Sequence, residues 1–167
     1  RRDDFSYEHK DIELCAEVWT KEQAKSCINA GIKTIYADTP LANELCDIYK
    51  DANIIAKLPP ICRDDRKYEN PRTDAVLVSN IGQISDSKKC YGDIRLNVFN
   101  SESANIFRTL ERVTISPELN LKEVPSSVQS GEIIGYGRIP LMVLENCPLR
   151  ALGKCQNGKN NKVIEDR

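Results

Sequence analysis

The feature that most constrains this chain is a rhythm. Seven short runs rich in β-branched and apolar residues recur along its 167 residues, at 12–19, 34–37, 53–58, 75–79, 94–98, 113–116 and 132–136. Their last residues, Trp19, Ala37, Leu58, Ser79, Val98, Ser116 and Tyr136, lie 18, 21, 21, 19, 18 and 20 positions apart. Such intervals exceed what a hairpin needs and suit a strand, a short helix and two loops. Several runs are apolar at successive positions, Ala75-Val76-Leu77-Val78 most clearly. That is the pattern of a strand covered on both faces, as in parallel sheets. An α/β class follows.

The segments between the runs carry helix signals. Thr20 and Gln23 form a capping-box pattern ahead of Ala24, Cys27 and Ile28, which share one face, and Gly31 closes that helix as a left-handed cap. Pro40 opens a second helix with Leu41, Leu45 and Ile48 on its buried side. Ser101 caps a third, in which Ala104, Phe107 and Leu110 turn inward. The stretch 86–89 is too short and polar to form one. With an eighth strand at 141–144, the series suggests a TIM-barrel-like (β/α) repeat. The chain is shorter than the roughly 200 residues such barrels need, so the barrel is expected to be incomplete or trimmed. An open doubly wound sheet gives the same rhythm, although no glycine-rich phosphate turn follows the first strand. The expected organisation is a polar leader at 1–11, a barrel-like domain over 12–155 and a polar tail at 156–167.

Composition narrows the function classes. Lysine and arginine number 24 against 25 acidic residues, a formal charge of −1, so nothing marks a general binder of nucleic acid or acidic membranes. A hydrophobic fraction of 40% with 29% charged residues excludes a disordered polyelectrolyte. The longest apolar run, 139–144, is far below the roughly 20 residues of a membrane span, and no signal-peptide pattern follows the first two arginines. The absence of an initiating methionine leads us to expect a piece of a longer or processed polypeptide. Seven irregularly spaced cysteines, an odd number, argue against a secreted disulfide scaffold and for a reducing, cytoplasmic setting.

Functional side chains in either architecture belong at the carboxyl ends of the strands, where loops and free strand ends form a crevice. Reading those ends selects Asn80, Asn97, Asn100, Ser116, Glu118, Tyr136 and Arg138. Mostly neutral hydrogen-bonding groups with one acid and one base suit the orientation of a polar or anionic ligand better than hydrolysis. Asn and Ser are also ordinary turn and cap residues. Asn97 stands out because it interrupts Leu96-Asn97-Val98-Phe99, where a buried amide would need a partner. Glu118 serves equally as a functional acid or as a cap at its strand-to-helix turn. Arg138 suits either a substrate carboxylate or a neighbouring strand-end acid. Cys147 and Cys155 share a loop with nearby cations, which favours thiolates and soft metals, but their spacing is wide and two ligands do not complete a site. The single histidine, His9, precedes every expected strand, so the Ser-His and Cys-His hydrolase templates fail, as do the motif-borne ones.

From residue 74 onward the sequence resembles a known family. Val78-Ser79-Asn80-Ile81-Gly82, then Leu96-Asn97-Val98-Phe99-Asn100-Ser101, Ile115-Ser116-Pro117-Glu118-Leu119, Tyr136-Gly137-Arg138-Ile139-Pro140-Leu141-Met142 and Cys147-Pro148 resemble, in order, the motifs of peptidase family U-32, the collagenase-like peptidases. More loosely, Val18-Trp19-Thr20-Lys21-Glu22-Gln23 and Ala56-Lys57-Leu58-Pro59 resemble the region leading into that segment in longer members. The resemblance implies a TIM-barrel-like core and a carboxyl-terminal barrel domain of a collagenase-like peptidase, a hydrolase by family, with the fragment inactive alone. It implies an alternative as well, an iron–sulfur-dependent, oxygen-independent hydroxylation factor acting on RNA or a quinone precursor. The neutral strand-end residues and the lack of an acid–base pair favour a further alternative, a non-catalytic substrate-binding or docking domain. Relatives hold a 4Fe-4S cluster through four cysteines. Cys147 and Cys155 match two positions of that loop, and the sequence stops where relatives continue with further cysteines. No cofactor is therefore expected in this fragment, only in the full-length protein. The expected partners are the remaining domains of its own parent chain and a polar or anionic substrate, with nucleic acid entering only through the resemblance.

Overall fold

The computed structural model describes residues 12–61, 70–120, 122–124, 131–140 and 152. They belong to two units, Arg1–Ile134 and Gly135–Arg167. The first contains seven strands: β1 (Cys15–Glu17), β2 (Thr34–Asp38), β3 (Asn53–Lys57), β4 (Ala75–Val78), β5 (Lys89–Gly92), β6 (Arg112–Thr114) and β7 (Gly131–Glu132). They form one sheet in sequence order, and all six pairings are parallel.

This sheet is curled. In a flat sheet, β2 and β7 would lie about 24 Å apart, five spacings of roughly 4.8 Å. Yet the Tyr36 hydroxyl on β2 donates to Glu132 Oε2 on β7 at 2.8 Å, and Arg112 on β6 reaches Cys15 Sγ on β1 at 3.0 Å. Only a sheet bent toward closure brings these side chains together. The expected α/β repeat is therefore present as a parallel half-barrel.

The two faces of the sheet divide the apolar residues between them. Ile35, Ala37, Ile54, Ala56, Val76 and Val78 face outward and pack with Ala24, Ala42 and Leu45 of the covering helices. Tyr36, Ile55, Ala75 and Leu77 face the concave side, joined by Cys15 and Tyr91. The rings of Tyr36 and Tyr91 meet edge to face, centroids 6.4 Å apart, a favoured aromatic geometry. Runs apolar at consecutive positions arise because both faces are covered.

Helix α1 (Lys21–Asn29) starts as its sequence predicts: Thr20 Oγ1 accepts from the Gln23 N–H and the Gln23 side chain accepts from the Thr20 N–H. Gly31 follows it at φ +89°, the left-handed conformation that costs other residues most. Helix α2 (Thr39–Ile48) is capped by Asp38, which accepts from the Leu41 N–H, with Pro40 in its first turn. Leu45 is buried, whereas Ile48 is exposed, contrary to expectation; Cys46 and Tyr49 pack against the core instead. In α3 (Ser101–Ile106) the cap is Asn100 rather than Ser101, and Phe107 and Leu110 are buried.

Two runs depart from their expected form: the seventh gives only the two-residue strand Gly131–Glu132, so Tyr136 does not stand at a strand end, and the fifth is displaced. Residues 94–98 do not make the fifth strand; Lys89–Gly92 does. Ile94–Leu96 is a 3-10 turn, started by Asp93 accepting the Ile94 N–H and ended by Asn97 at φ 51°, ψ 53°. Asn97 is exposed, so the expected buried amide inside a strand is not found. Asn is one of the few residues that tolerate the left-handed region, and here it turns the chain so that Val98 bridges Ile115. The real strand contains Gly92, whose missing Cβ leaves room for Leu96 and Val113; an added Cβ would lie 2.8 and 3.1 Å from their side chains. Between β4 and β5 the chain makes only a 3-10 turn, Ile81–Gln83, so not every strand carries a full covering helix. The expected eighth strand at 141–144, the leader, the tail and His9 lie outside the described residues.

Candidate functional site

Parallel pairing sends all seven carboxyl ends to one rim, and alternation decides which side chains face the concavity. On β1 these are Cys15 and Glu17; on β3, Ile55 and Lys57; beyond β4 and β5, Ser79 and Asp93. The Lys57 ammonium meets Glu17 Oε1 at 2.7 Å across β2, with 18% and 39% of the two side chains exposed. Next to them in the sheet, buried Ser79 donates its hydroxyl to Asp93 Oδ2 at 2.9 Å, and Arg95 Nη1 donates to the same oxygen at 2.6 Å. The turn after β4 is fixed by Gln83, which accepts the Ser79 N–H and donates to the Pro59 carbonyl, both at 2.7 Å. Trp19, Ile81 and Phe99 are exposed in the loops at the same end. The arrangement offers both signs of charge beside apolar surface.

Deeper in the concavity is a second polar group. Arg112 Nη2 donates to Glu13 Oε2 at 2.7 Å, and Nη1 lies 3.5 Å from Glu132 Oε2. Thr34 Oγ1 donates to Glu13 Oε1 at 2.6 Å. Burial, reinforced by the Glu132 carboxylate, pushes the Tyr36 phenol far above its ordinary value, so it remains a donor. The hydroxyl of Thr34 and the guanidinium of Arg112 hold Glu13 below the usual carboxylate range. Burial pushes the Cys15 thiol up, with Glu132 adding to it, so this sulfur is a neutral thiol rather than an activated nucleophile. Burial alone would lower the Arg112 guanidinium, but its hydrogen bond to Glu13 and neighbouring charges raise it. This group ties β1 and β2 to β6 and β7 and acts as a brace.

The residues selected from sequence fall as follows. Asn80 begins the 3-10 turn after β4, half-buried, without a side-chain cap bond. Asn100 caps α3 by accepting the Ser103 N–H at 2.8 Å. Ser116 is buried beyond β6, its N–H on the Val98 carbonyl, and its hydroxyl faces the Glu118 N–H at 3.4 Å. Glu118 is exposed on that turn. Asn97, Asn100 and Ser116 thus come from adjoining segments, joined by the Val98–Ile115 bridge. Tyr136 and Arg138 belong to the second unit, where both are exposed. Cys147 and Cys155 lie outside the described residues.

Sequence reading missed Glu17, Lys57, Asp93, Arg95 and the brace. In Asn53-Ile54-Ile55-Ala56-Lys57 no polar alternation distinguishes the inward face. The run read from sequence ends at Leu58, one residue beyond the strand, so counting back in twos reaches Ala56 and passes over Lys57.

Cys147 and Cys155, to which the resemblance assigns part of a cluster site, lie outside the described residues, and the described cysteines are a separate set. Cys15, Cys27, Cys46 and Cys90 are free and stand on four different elements, Cys27, Cys46 and Cys90 packed in the apolar core. No three His, Cys, Asp or Glu side chains among the described residues group as a metal site. A cavity of about 520 Å3 lies by the amino end of β5 and is lined by residues including Asp74, Ser85, Lys88, Lys89 and Glu111. Its Lys88 is already engaged, donating to the Thr73 carbonyl at 2.6 Å, and it lies away from the rim where the strand ends converge. Among the described residues no helix is long and apolar enough to cross a membrane. Compared with family models, curated proteins and solved structures, the chain matches none of them.

Proposed function

We propose that this chain is a TIM-barrel-like domain of the U-32 type, part of a longer collagenase-like protein, whose carboxyl-end crevice binds a polar substrate for chemistry completed elsewhere in its parent. The observation that carries this reading is the pairing of Lys57 with Glu17, beside the Ser79–Asp93–Arg95 network, at the carboxyl ends of a curled parallel sheet. Ligands of parallel α/β folds bind at that end because the loops and free strand termini converge there. A cation and an acid held against each other present both signs to a ligand, as an amide-rich or zwitterionic molecule requires. Asn80, Asn97 and Ser116 stand in the neighbouring loops. The free cysteines fit a reducing, cytoplasmic compartment.

Backbone NMR on the 15N-labelled chain tests the reading. Titration with a gelatin-derived peptide should move the amides of Glu17, Lys57, Ser79, Asp93 and Arg95 together. Shifts confined to the amino-end cavity, or none at millimolar peptide, would overturn it. Gelatin cleavage by this chain alone would replace the binding role with a catalytic one.

A further inference from the structure

The Lys57–Glu17 pair at that rim suits a chemistry beyond binding. We infer that Lys57 is a carbonyl-capturing amine, with Glu17 its proton acceptor, for a small aldehyde or 2-oxo acid. This rests on the crevice reading for its location. Three observations carry it further.

First, Lys57 is held rigidly. It ends the interior strand β3, is paired in register with Asp38 on one side and Leu77 on the other, and its carbonyl accepts the Thr39 hydroxyl at 3.3 Å. Second, only 18% of its side chain is exposed, against 57% for Lys21 and 73% for Lys50, and its neighbours on the concave face include Tyr36, Ile55 and Leu77. An amine with a covered stem is shielded from the water that hydrolyses imines. Third, the acceptor is in place, since Glu17 Oε1 lies 2.7 Å from Nζ and is itself half open to the crevice.

The step balances without any further reagent. Glu17 takes one proton from the ammonium, freeing the nitrogen lone pair. The amine attacks the carbonyl carbon, the C=O π pair moves to oxygen, and that oxygen takes a proton from Glu17 to give a carbinolamine. A second proton from nitrogen then leaves with the oxygen as water, and a protonated C=N bond remains. Overall, one ammonium and one carbonyl compound give one iminium and one water, with charge conserved.

The test is reductive trapping of the intact chain near neutral pH, with cyanoborohydride and either pyruvate or propanal, followed by peptide mass mapping. The expected result is a secondary-amine adduct at Lys57 in excess over the more exposed Lys21 and Lys50. Solvent access alone would give the opposite order. Pyruvate favoured over propanal would mark an oxo acid as the ligand, and the reverse a simple aldehyde. Glu17→Gln, checked for native fold by circular dichroism, should slow capture on the order of 10²-fold, the low end of what a positioned proton acceptor contributes. Labelling in order of exposure, or capture undiminished in Glu17→Gln, overturns the inference. The peptide titration separates the two readings: amide shifts at the crevice without trapping remove only the capture step, and loss of both removes the site.

Discussion

Arg112 gives the sharpest test of the half-barrel, because no sequence pattern asks for it and the curvature depends on it. Arg112→Met keeps most of the stem and removes the guanidinium. Two arms are lost. The Glu13 arm is short, but 48% of the Glu13 side chain is exposed, so we assign it about 0.5 kcal/mol, as for a solvent-screened pair. The Glu132 arm is longer, at 3.5 Å, yet only 25% and 21% of the two side chains are exposed. Its removal leaves the Glu132 carboxylate with the Tyr36 hydroxyl alone, a cost of about 1–2 kcal/mol. The expected loss is about 2 kcal/mol, a fall in Tm of roughly 4–8 °C for a chain of this size. Urea unfolding followed by far-UV circular dichroism measures it, with Arg108→Met on the exposed surface as a control expected to stay within about 0.5 kcal/mol. A double-mutant cycle with Glu13→Gln should return a coupling of about 0.5 kcal/mol. If Arg112→Met is as neutral as the control, Arg112 does not brace β1 against β6 across the concavity.

The same group sets a pH dependence at both extremes. Glu13 is depressed in the folded chain, so its contribution is full above its ordinary value of 4.5 and is lost as pH falls through the lower folded value; Glu13→Gln should flatten the acid limb of a stability–pH curve. Tyr36 is raised, so its contribution is full below its ordinary value of 10.0 and declines as the unfolded phenol ionises above it; Tyr36→Phe should remove that alkaline slope and cost about 1–2 kcal/mol near neutrality. Thr20→Ala removes the α1 cap and should cost about 1 kcal/mol in urea unfolding. Gly92→Ala should cost about 1–2 kcal/mol, since the new methyl meets Leu96, Val113 and Leu110 at 2.8 to 3.2 Å; an unchanged midpoint would mean that those side chains rotate away freely.

Much of this architecture is written locally. The caps at Thr20 and Asp38, Pro40 in the first turn of α2 and Gly31 behind α1 act on atoms three or four residues away, so their effect is legible without the fold. The run Ala75–Val78 declares a strand covered on both faces because all four residues are apolar. The fifth strand shows where such reading stops. Ile94–Val98 has the better strand composition, yet Lys89–Gly92 takes the place, because Gly92 fits beneath Leu96, Leu110 and Val113 and Asn97 accepts the turn that follows. Packing partners some 20 residues away decided between two weak local preferences.

The candidate site divides along the same line. Parallel strands of regular spacing place their carboxyl ends on one rim, so the sequence by itself located that rim. It did not determine which side chains wait there. In strands buried on both faces no polar alternation marks inside from outside, and an error of one position exchanges Lys57 for Ala56. Register and curvature made that choice: they turned Glu17 and Lys57 toward each other across β2 and brought Arg112, Glu132 and Tyr36 from opposite ends of the sheet to within hydrogen-bonding distance. Curvature is a property of the assembled sheet and the volume it encloses, and no single strand carries it.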